Sequence, residues 1–160
     1  MQIRCFEPGD APALFQVFHS AIHTVASADY SPAQIRAWAP DAPDPARWAR
    51  RMAGIQPFIA EEAGEILGCA DLQADGYIDH FFVAGRHPRR GVGRSLMQHL
   101  HQVARARGIA QMSADVSLSA EAFFRHFGLV VLERRQAWSG DIALPNARMR
   151  KPLAPESDAG

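Results

Sequence analysis

Apolar residues recur with two different periods along the chain, and the period changes near Pro57. Before that residue, Leu14 and Phe18 belong to a set of apolar residues three or four apart, which predicts an amphipathic helix. After it, short apolar runs are separated by the turns Ala63-Gly64 and Asp75-Gly76, which favour antiparallel hairpins. The pattern therefore predicts helices together with three sequential antiparallel strands, and hence an α+β fold.

The same reading gives approximate bounds for each element. Predicted strands span residues 2–6, 58–60, 66–72, 77–83, 112–116, 129–132 and 147–153. Predicted helices run from an Asp10 N-cap to residue 26, over a short segment after Pro32, from Gly93 to a stop at Gly108, and from a Ser119 cap through Phe127. The proline-rich stretch 40–45 is expected to be an extended surface connection.

Composition limits the class of protein. A chain of 160 residues with 48% hydrophobic content predicts one domain over residues 1–153, followed by a flexible tail over 154–160. Lysine plus arginine and aspartate plus glutamate each number 17, so no overall field attracts nucleic acid or an anionic membrane. There is no long apolar run, and Cys5 and Cys69 lie far apart, so we expect a soluble, cytoplasmic protein.

The segment 83–95 combines glycines with positive charge just before the strongest helical pattern. Gly91 and Gly93 allow backbone N–H groups to converge, and four arginines (Arg86, Arg89, Arg90 and Arg94) are close in sequence. This arrangement predicts a site for a pyrophosphate, although an ordinary glycine-rich turn with solvated arginines has the same composition. A P-loop is excluded because it requires Gly-Lys-Ser/Thr, and Leu96 occupies the third glycine position of a dinucleotide fingerprint.

Three segments resemble one family. The strand 77–83 followed by Gly91-Val92-Gly93-Arg94-Ser95-Leu96-Met97 looks like motif A of the GCN5-related N-acetyltransferases. Residues 117–129 resemble motif B of that family, and residues 146–153 resemble its last strand. The similarity extends over about residues 2–153 and is greatest to a bacterial subgroup. It implies the α+β fold of that family, in which helices flank a mixed, mostly antiparallel central sheet. It also implies acetyl-CoA as the acetyl donor and transfer to an acceptor.

The resemblance also implies a set of residues that contact the donor. They are Phe82, Val83, Arg89, Arg90, Gly91, Val92, Gly93, Arg94, Ser95 and Phe124. A main-chain N–H near Phe82 or Val83 is expected to hold the acetyl oxygen. The chain departs from the family pattern in two places. Pro88 stands where glutamine or arginine is usual, and Phe124 replaces a frequent tyrosine.

Transfer to an amine benefits from a base, because an ammonium group has no lone pair with which to attack a thioester. Side chains alternate along a strand, so Asp79 and His80 are expected on opposite faces, and either one is a candidate catalytic base. Asp79 could instead pair with an arginine, and His80 could be a core residue. The second choices for the base are Glu61, Glu62, His19 and His23.

Other residues with chemical potential are interpreted conservatively. His19 and His23 have the i, i+4 spacing of a metal chelate, but the sequence shows no third ligand, so no metal is expected. Tyr30, Trp38 and Trp48 are interpreted as core anchors or as the wall of an apolar acceptor pocket.

These observations predict an acetyl-CoA-dependent N-acetyltransferase. The expected reaction moves the acetyl group to a primary amine of a small molecule or peptide by direct attack. No metal, nucleic acid or membrane is expected to take part, and the protein is compatible with a homodimer. One alternative is a CoA-binding sensor without catalysis. Another is transfer to a hydroxyl or of a longer acyl chain. A nucleic-acid-binding role for the arginine cluster is disfavoured by the neutral charge.

Overall fold

The computed structural model describes residues 1–85 and 91–153. Five α-helices lie in these ranges: α1 (Ala11–Val25), α2 (Pro32–Trp38), α3 (Pro45–Ile55), α4 (Val92–Ala106) and α5 (Glu121–His126). Eight strands lie in the same ranges: β1 (Gln2–Cys5), β2 (Phe58–Glu62), β3 (Glu65–Ala70), β4 (Tyr77–Ile78), β5 (Phe81–Val83), β6 (Gln111–Ser117), β7 (Val130–Ser139) and β8 (Ile142–Pro152). The predicted tail, 154–160, and the predicted donor contacts Arg89 and Arg90 fall outside the described residues.

The strands form two four-stranded sheets, which confirms the α+β class. One sheet has the order β1-β2-β3-β5 and the other has the order β4-β6-β8-β7. Among the described strands, the pairing of β4 with β6 is parallel and the other pairings are antiparallel. The chain passes from the second sheet to the first between Ile78 and Phe81, so β4 and β5 belong to different sheets.

That crossing corrects the single strand predicted over 77–83. The carboxylate of Asp71 accepts hydrogen bonds from the N–H of Asp79 (3.0 Å) and the N–H of His80 (2.5 Å), where a continuous strand would make ladder bonds. The break also disturbs the simple alternation of side chains. Ile78 and Phe81 both pack in the core cluster beneath α4, although strict alternation would place them on opposite faces.

The region 45–55 is a helix that the sequence reading did not predict. Asp44 caps it by accepting hydrogen bonds from the N–H groups of Ala46 (3.0 Å) and Arg47 (3.2 Å), and Pro45 is its first residue. Proline is well tolerated at this position because the missing N–H would have no intrahelical partner. The prolines therefore form an extended connection only up to Asp44.

Two predicted caps are also corrected. The carboxylate of Asp10 accepts from the N–H of Glu7 (2.8 Å) and does not cap α1. The cap near α5 is Ser117, whose hydroxyl accepts from the N–H of Ala120 (3.2 Å), while Ser119 donates to Asp29 (2.8 Å). The predicted helical regions are nevertheless present, with short 3₁₀ turns preceding both helices.

The closing hairpin is longer than expected. β7 and β8 are joined at Gly140, whose φ is +60°, and pair from Val130 to Arg150. The sequence reading stopped the first of these strands at residue 132 because the following residues are charged or polar. Most of β7 is exposed, so the alternation that marks a buried strand is weak there.

Buried apolar side chains form three clusters. The largest lies between α4 and the two sheets and includes Leu96, Met97 and Leu100, as the helical period predicted. A second contains Phe18 and Ile22 of α1 with residues of α2, and the third lies between α1, α3 and the first sheet. No helix in the described ranges is both long and apolar enough to cross a membrane.

Candidate active site

The N-terminus of α4 is built to face an anion. Gly91 precedes the helix with a φ of +73°, and its carbonyl accepts the first helical bond from the N–H of Ser95 (3.0 Å). The N–H groups of Val92, Gly93 and Arg94 therefore have no acceptor inside the helix, and no side chain of the described residues caps this end. Unpaired N–H groups together with the helix dipole favour a negatively charged ligand.

Beside this helix end lies a cavity of about 440 Å³. Its walls come from α1, β5, the start of α4 and the segment that leads into α5. Apolar side chains dominate them: Ala21, Ile22, Val25, Ala26, Trp38, Phe81, Phe82, Val83, Val92, Phe123 and Phe124. A Cβ on Gly93 would lie 3.2 Å from the ring of Phe123, so the helix start and this wall are in close contact.

The cavity occupies a wedge between two diverging strands. β4 pairs with β6 at Tyr77–Ser113 and Ile78–Ala114, and the chain then turns away to pair β5 with β3. Ala84 donates to the carbonyl of Leu67 (2.8 Å) on the β3 side. Successive N–H groups in a strand point in opposite directions, so the N–H groups of residues 81 and 83 point into the wedge and that of residue 82 points to β3.

A second cavity, of about 240 Å³, is also lined by residues of β5. It shares six wall residues with the first: Trp38, Phe81, Phe82, Ser117, Ala120 and Phe124. The second cavity is further lined by Asp79, His80 and Asn146 among others. The two cavities therefore meet along β5 and the ring of Phe124, which is only 3% exposed.

The structure places both predicted base candidates in the second cavity. The ring of His80 is 4% exposed and packs against the rings of Phe18 and Phe82, with centroids 5.9 and 5.3 Å away. Its Nδ1 lies 3.4 Å from Oδ2 of Asp79, which is also 3.4 Å from the guanidinium of Arg51. His80, chiefly, together with Arg51, holds the pKa of Asp79 below its ordinary value, so Asp79 is an anion at neutral pH.

Asp71 was missed by the sequence reading, although it positions both candidates. Its carboxylate is completely buried and accepts from Gln73 (2.6 Å) as well as from the N–H groups of Asp79 and His80. Burial raises its pKa while these hydrogen bonds oppose the rise. The signal available in the sequence was the position of this acidic residue directly after an apolar strand.

Polar groups at the far side of the second cavity were also missed. Oδ1 of Asn146 is buried and has no hydrogen-bond partner among the described residues, although it lines the cavity. Asp115 accepts from the hydroxyl of Tyr77 (3.1 Å) and lies 3.0 Å from Arg148. Burial, then the charge of Asp115, raises the pKa of Tyr77 to about 12. An unpartnered buried oxygen of this kind suits a donor group of a ligand.

The aromatic residues of the α2 region divide between the two interpretations. Trp48 is a core anchor, since its indole N–H donates to the carbonyl of Ala11 (2.8 Å) and its ring packs on Phe18. Trp38 lines both cavities and Tyr30 lines the second. The hydroxyl of Tyr30 accepts from the N–H of Leu118 (3.0 Å), which attaches this wall to the start of the α5 region.

Comparison with known proteins decides the family. The sequence matches the acetyltransferase (GNAT) domain over residues 26–150. The chain belongs to the GNAT family. As a GNAT protein it is 32% identical over 150 residues to the N-acetyltransferase YafP of Escherichia coli (strain K12), covering 94% of this chain and 95% of that one. This GNAT chain is an acetyl-CoA-dependent acyltransferase.

Solved structures of GNAT proteins agree with this fold. A GCN5-related N-acetyltransferase from Rhodopseudomonas palustris superposes with a TM-score of 0.90 at 33% identity, covering 95% of each chain. The yncA acetyltransferase of Salmonella typhimurium, crystallised with acetyl-CoA, gives a TM-score of 0.67 at 19% identity and covers 98% of each chain. That second likeness concerns the fold alone.

The described residues of this GNAT protein fit acetyl-CoA. The N–H groups of Val92, Gly93 and Arg94, which have no acceptor inside the helix, suit its pyrophosphate, and the apolar cavity beside them suits its pantetheine arm. The amide of Ser95 is already bonded to Gly91, so only its side chain could contribute. The predicted contact between Ser95 and the donor is therefore limited to the Ser95 side chain.

Proposed function

We propose that the protein transfers the acetyl group of acetyl-CoA to a primary amine of a small molecule or peptide by direct attack. The observation that supports this most is the meeting of the two cavities along β5. One leads to the anion-binding end of α4, and the other is lined by His80 and Asp79. Direct attack is favoured because neither Cys5 nor Cys69 lines either cavity.

The donor side of the site uses main-chain groups. Acetyl-CoA, when bound, supplies the acetyl group as a thioester that an amine can attack. In our proposal, Val92, Gly93 and Arg94 bind the pyrophosphate, and Phe82, Val83 and Phe124 contact the arm that carries the thioester. The N–H of Val83, which points into the wedge, is the donor we assign to the acetyl oxygen. The N–H of Phe82 points to β3 and is not available for this role.

The acceptor side contains the base. We assign this role to His80, because Asp79 is a poor proton acceptor with its lowered pKa. The Asp79 carboxylate near Nδ1 favours the tautomer with a proton on that nitrogen, which leaves the lone pair on Nε2 to take the proton of the amine. Asp79 then acts as a positioning residue that also stabilises the charged imidazole. Oδ1 of Asn146, which has no partner among the described residues, can accept a hydrogen bond from a second polar group of the acceptor molecule.

Release of free thiol from acetyl-CoA across a panel of amines tests this function. Matched alcohols in the panel distinguish transfer to nitrogen from transfer to oxygen. We expect turnover with at least one primary amine, and His80→Gln should lower kcat about 10² to 10⁴-fold while CoA affinity is retained. His126→Gln, an exposed histidine on α5, serves as the control.

Three results would contradict parts of the proposal. Turnover with alcohols alone would replace the amine acceptor by a hydroxyl. Parental kcat in the folded His80→Gln protein would remove His80 as the base, and Asp79→Asn, measured in parallel, would then show whether the carboxylate has that role. Failure of CoA to bind at all would refute the assigned donor site.

A further inference from the structure

A group of potential metal ligands lies on α1, outside the lining of both cavities. His19 and His23 are one helical turn apart, and their rings stack with centroids 3.9 Å apart and an interplanar angle of 18°. Asp41, from the segment after α2, brings its Oδ1 to 2.6 Å from Nε2 of His19. The sequence reading found no third ligand for the histidine pair, and the structure corrects this, since Asp41 is 22 residues away in sequence.

We propose that His19, His23 and Asp41 form a binding site for a divalent transition metal ion such as Zn²⁺. One potential ligand atom from each residue lies within 4.8 Å of the other two. Ligand atoms of a tetrahedral zinc site are about 3.3 Å apart when the bonds are about 2.0 to 2.1 Å. Binding would displace the proton that Nε2 of His19 shares with Asp41, and rotation of the stacked rings with side-chain shifts of an ångström or so would bring the three atoms to metal-binding distances.

The orientation of His23 fits the proposal. Its Nε2 lies 2.7 Å from the carbonyl oxygen of Ala39, so this nitrogen carries the proton and donates. The lone pair is then on Nδ1, where a metal can bind. Histidine ligands of metals commonly donate their other N–H to a carbonyl or carboxylate in this way, which fixes the ring and its tautomer.

The other groups at the site set its preference. Two imidazole nitrogens and one carboxylate oxygen favour zinc, nickel or copper over magnesium and calcium, which prefer oxygen alone. An aspartate carboxylate is ionised at neutral pH and is therefore able to coordinate a cation. Asp41 is 80% exposed, so water can complete the coordination. Arg36 is a nearby cation, but it is exposed to solvent.

The position of the site indicates what a bound ion would do. Asp41 follows Trp38 by three residues, and Trp38 lines both cavities. An ion shared by α1 and this segment would link the helix to the chain that carries the tryptophan. Metal binding should therefore stabilise the α2 end of the wall without contacting either substrate.

Isothermal titration calorimetry of the chelator-treated full chain with ZnCl₂ tests the proposal. Thermal unfolding with and without Zn²⁺ supplies a second readout. We expect one ion per chain and a higher Tm with zinc. His19→Gln, His23→Gln and Asp41→Asn should each weaken binding by about tenfold or more and abolish the Tm shift. His126→Gln and Asp141→Asn, both exposed elsewhere, should bind zinc as the parent does.

Two outcomes overturn the proposal. One is a parent protein that takes up no stoichiometric zinc. The other is an Asp41→Asn protein that retains parental affinity while the histidine variants lose it, because a surface chelate of two histidines would then explain the binding. Neither readout uses acetyl transfer, so both outcomes are independent of the proposed enzyme function.

Discussion

Asp71 carries a buried carboxylate at the end of β3, and its hydrogen bonds replace those of a partner strand. Three donors converge on it: the N–H groups of Asp79 and His80, and the side-chain amide of Gln73. Burial of a carboxylate is costly unless its oxygens are satisfied, and here each oxygen has a partner. This one side chain therefore permits the strand break that brings Asp79 and His80 to the second cavity.

Removal of that carboxylate should be costly. In Asp71→Ala the N–H groups of Asp79 and His80 lose their acceptor, and each unsatisfied buried donor costs about 1–3 kcal/mol. We expect the free energy of unfolding in urea to fall by about 3 kcal/mol, together with a loss of kcat. Asp71→Asn keeps one oxygen acceptor and should show a smaller loss of both. Equal stability of the alanine variant and the parent would contradict this role.

Phe124 is the second residue whose chemistry can be tested directly. Its ring packs on Phe81 and Phe123, with centroids 5.5 and 5.9 Å away, at the junction of the two cavities. It cannot donate a proton to the departing thiolate, but a thiol with a pKa of about 8.5 is a tolerable leaving group near neutral pH. We expect Phe124→Tyr to have an unchanged or higher kcat, because the new hydroxyl can point into a cavity.

Steady-state kinetics of Phe124→Tyr beside Phe127→Tyr provides the comparison, since Phe127 packs in the same aromatic group but lines neither cavity. A clear fall in kcat for the residue 124 variant alone, with CoA binding intact, would show that the apolar ring itself supports catalysis.

At the scale of elements, α4 offers a matched pair of glycines. Gly91 and Gly108 flank the two ends of the helix with φ of +73° and +67°, and at both a Cβ would meet no atom of the described residues within 4 Å. Alanine should strain the backbone equally at either position, by about 1–2 kcal/mol. The Gly91 end has N–H groups without an acceptor inside the helix, and it borders the first cavity.

We therefore expect Gly91→Ala to weaken CoA binding clearly more than Gly108→Ala, at similar losses of stability. Calorimetric titration with CoA and thermal unfolding of both variants measure the two effects. Equal CoA affinities would place the pyrophosphate away from the start of α4.

The sequence predicted elements whose pattern is local, and it failed where a distant residue decides. The helix from residue 92 was predictable because Leu96 and Leu100 repeat at the helical period and Gly108 stops it. The break at residues 79 and 80 was not, because it depends on Asp71. The helix α3 was a different kind of failure, since Asp44-Pro45 is a local start signal that the count of prolines obscured.

The residues of the candidate site also fall into those that a local pattern indicates and those that only distant packing brings together. Gly91 to Arg94 were proposed from the glycine spacing, and His80 was proposed as a titratable residue within the segment 77–83. Asn146 could not be assigned, because only the packing of β8 beside β6 brings it to the cavity of His80. Asp41 likewise joins His19 only after α2 has folded back on α1.

On the scale of the whole molecule, a charged cluster connects the N-terminal segment of the chain to β2. Arg4 of β1 binds the carboxylates of Asp10 (2.9 Å) and Glu61 of β2 (2.9 Å). The hydrogen bond from Arg4, chiefly, lowers the pKa of Asp10 below its ordinary value. A carboxyl with a lowered pKa in the folded state stabilises the fold when ionised.

The sign of the pH dependence follows. The contribution of Asp10 should be complete above its unfolded pKa, which is about 3.9, and should disappear as the pH falls through the lower folded value. Urea unfolding at pH 7, 4 and 3 should show the stability difference between the parent and Asp10→Asn shrinking with acid. Asp141→Asn, an exposed change, is the control. A difference that is constant over this range would exclude the ion pair as its cause.

The oligomeric state is a further property of the whole molecule. A homodimer remains a prediction, which sedimentation velocity of the full chain tests.

Because the two cavities share a wall, a single ligand molecule can be designed to fill both cavities. An amine covalently joined to the sulfur of CoA through a short acyl spacer would fill the donor and acceptor sides together, passing the ring of Phe124. Because the first half of such a bisubstrate ligand holds the second at a high effective concentration, its affinity should far exceed that of either half. The loss of affinity on changing the amine half would then rank acceptors without any turnover.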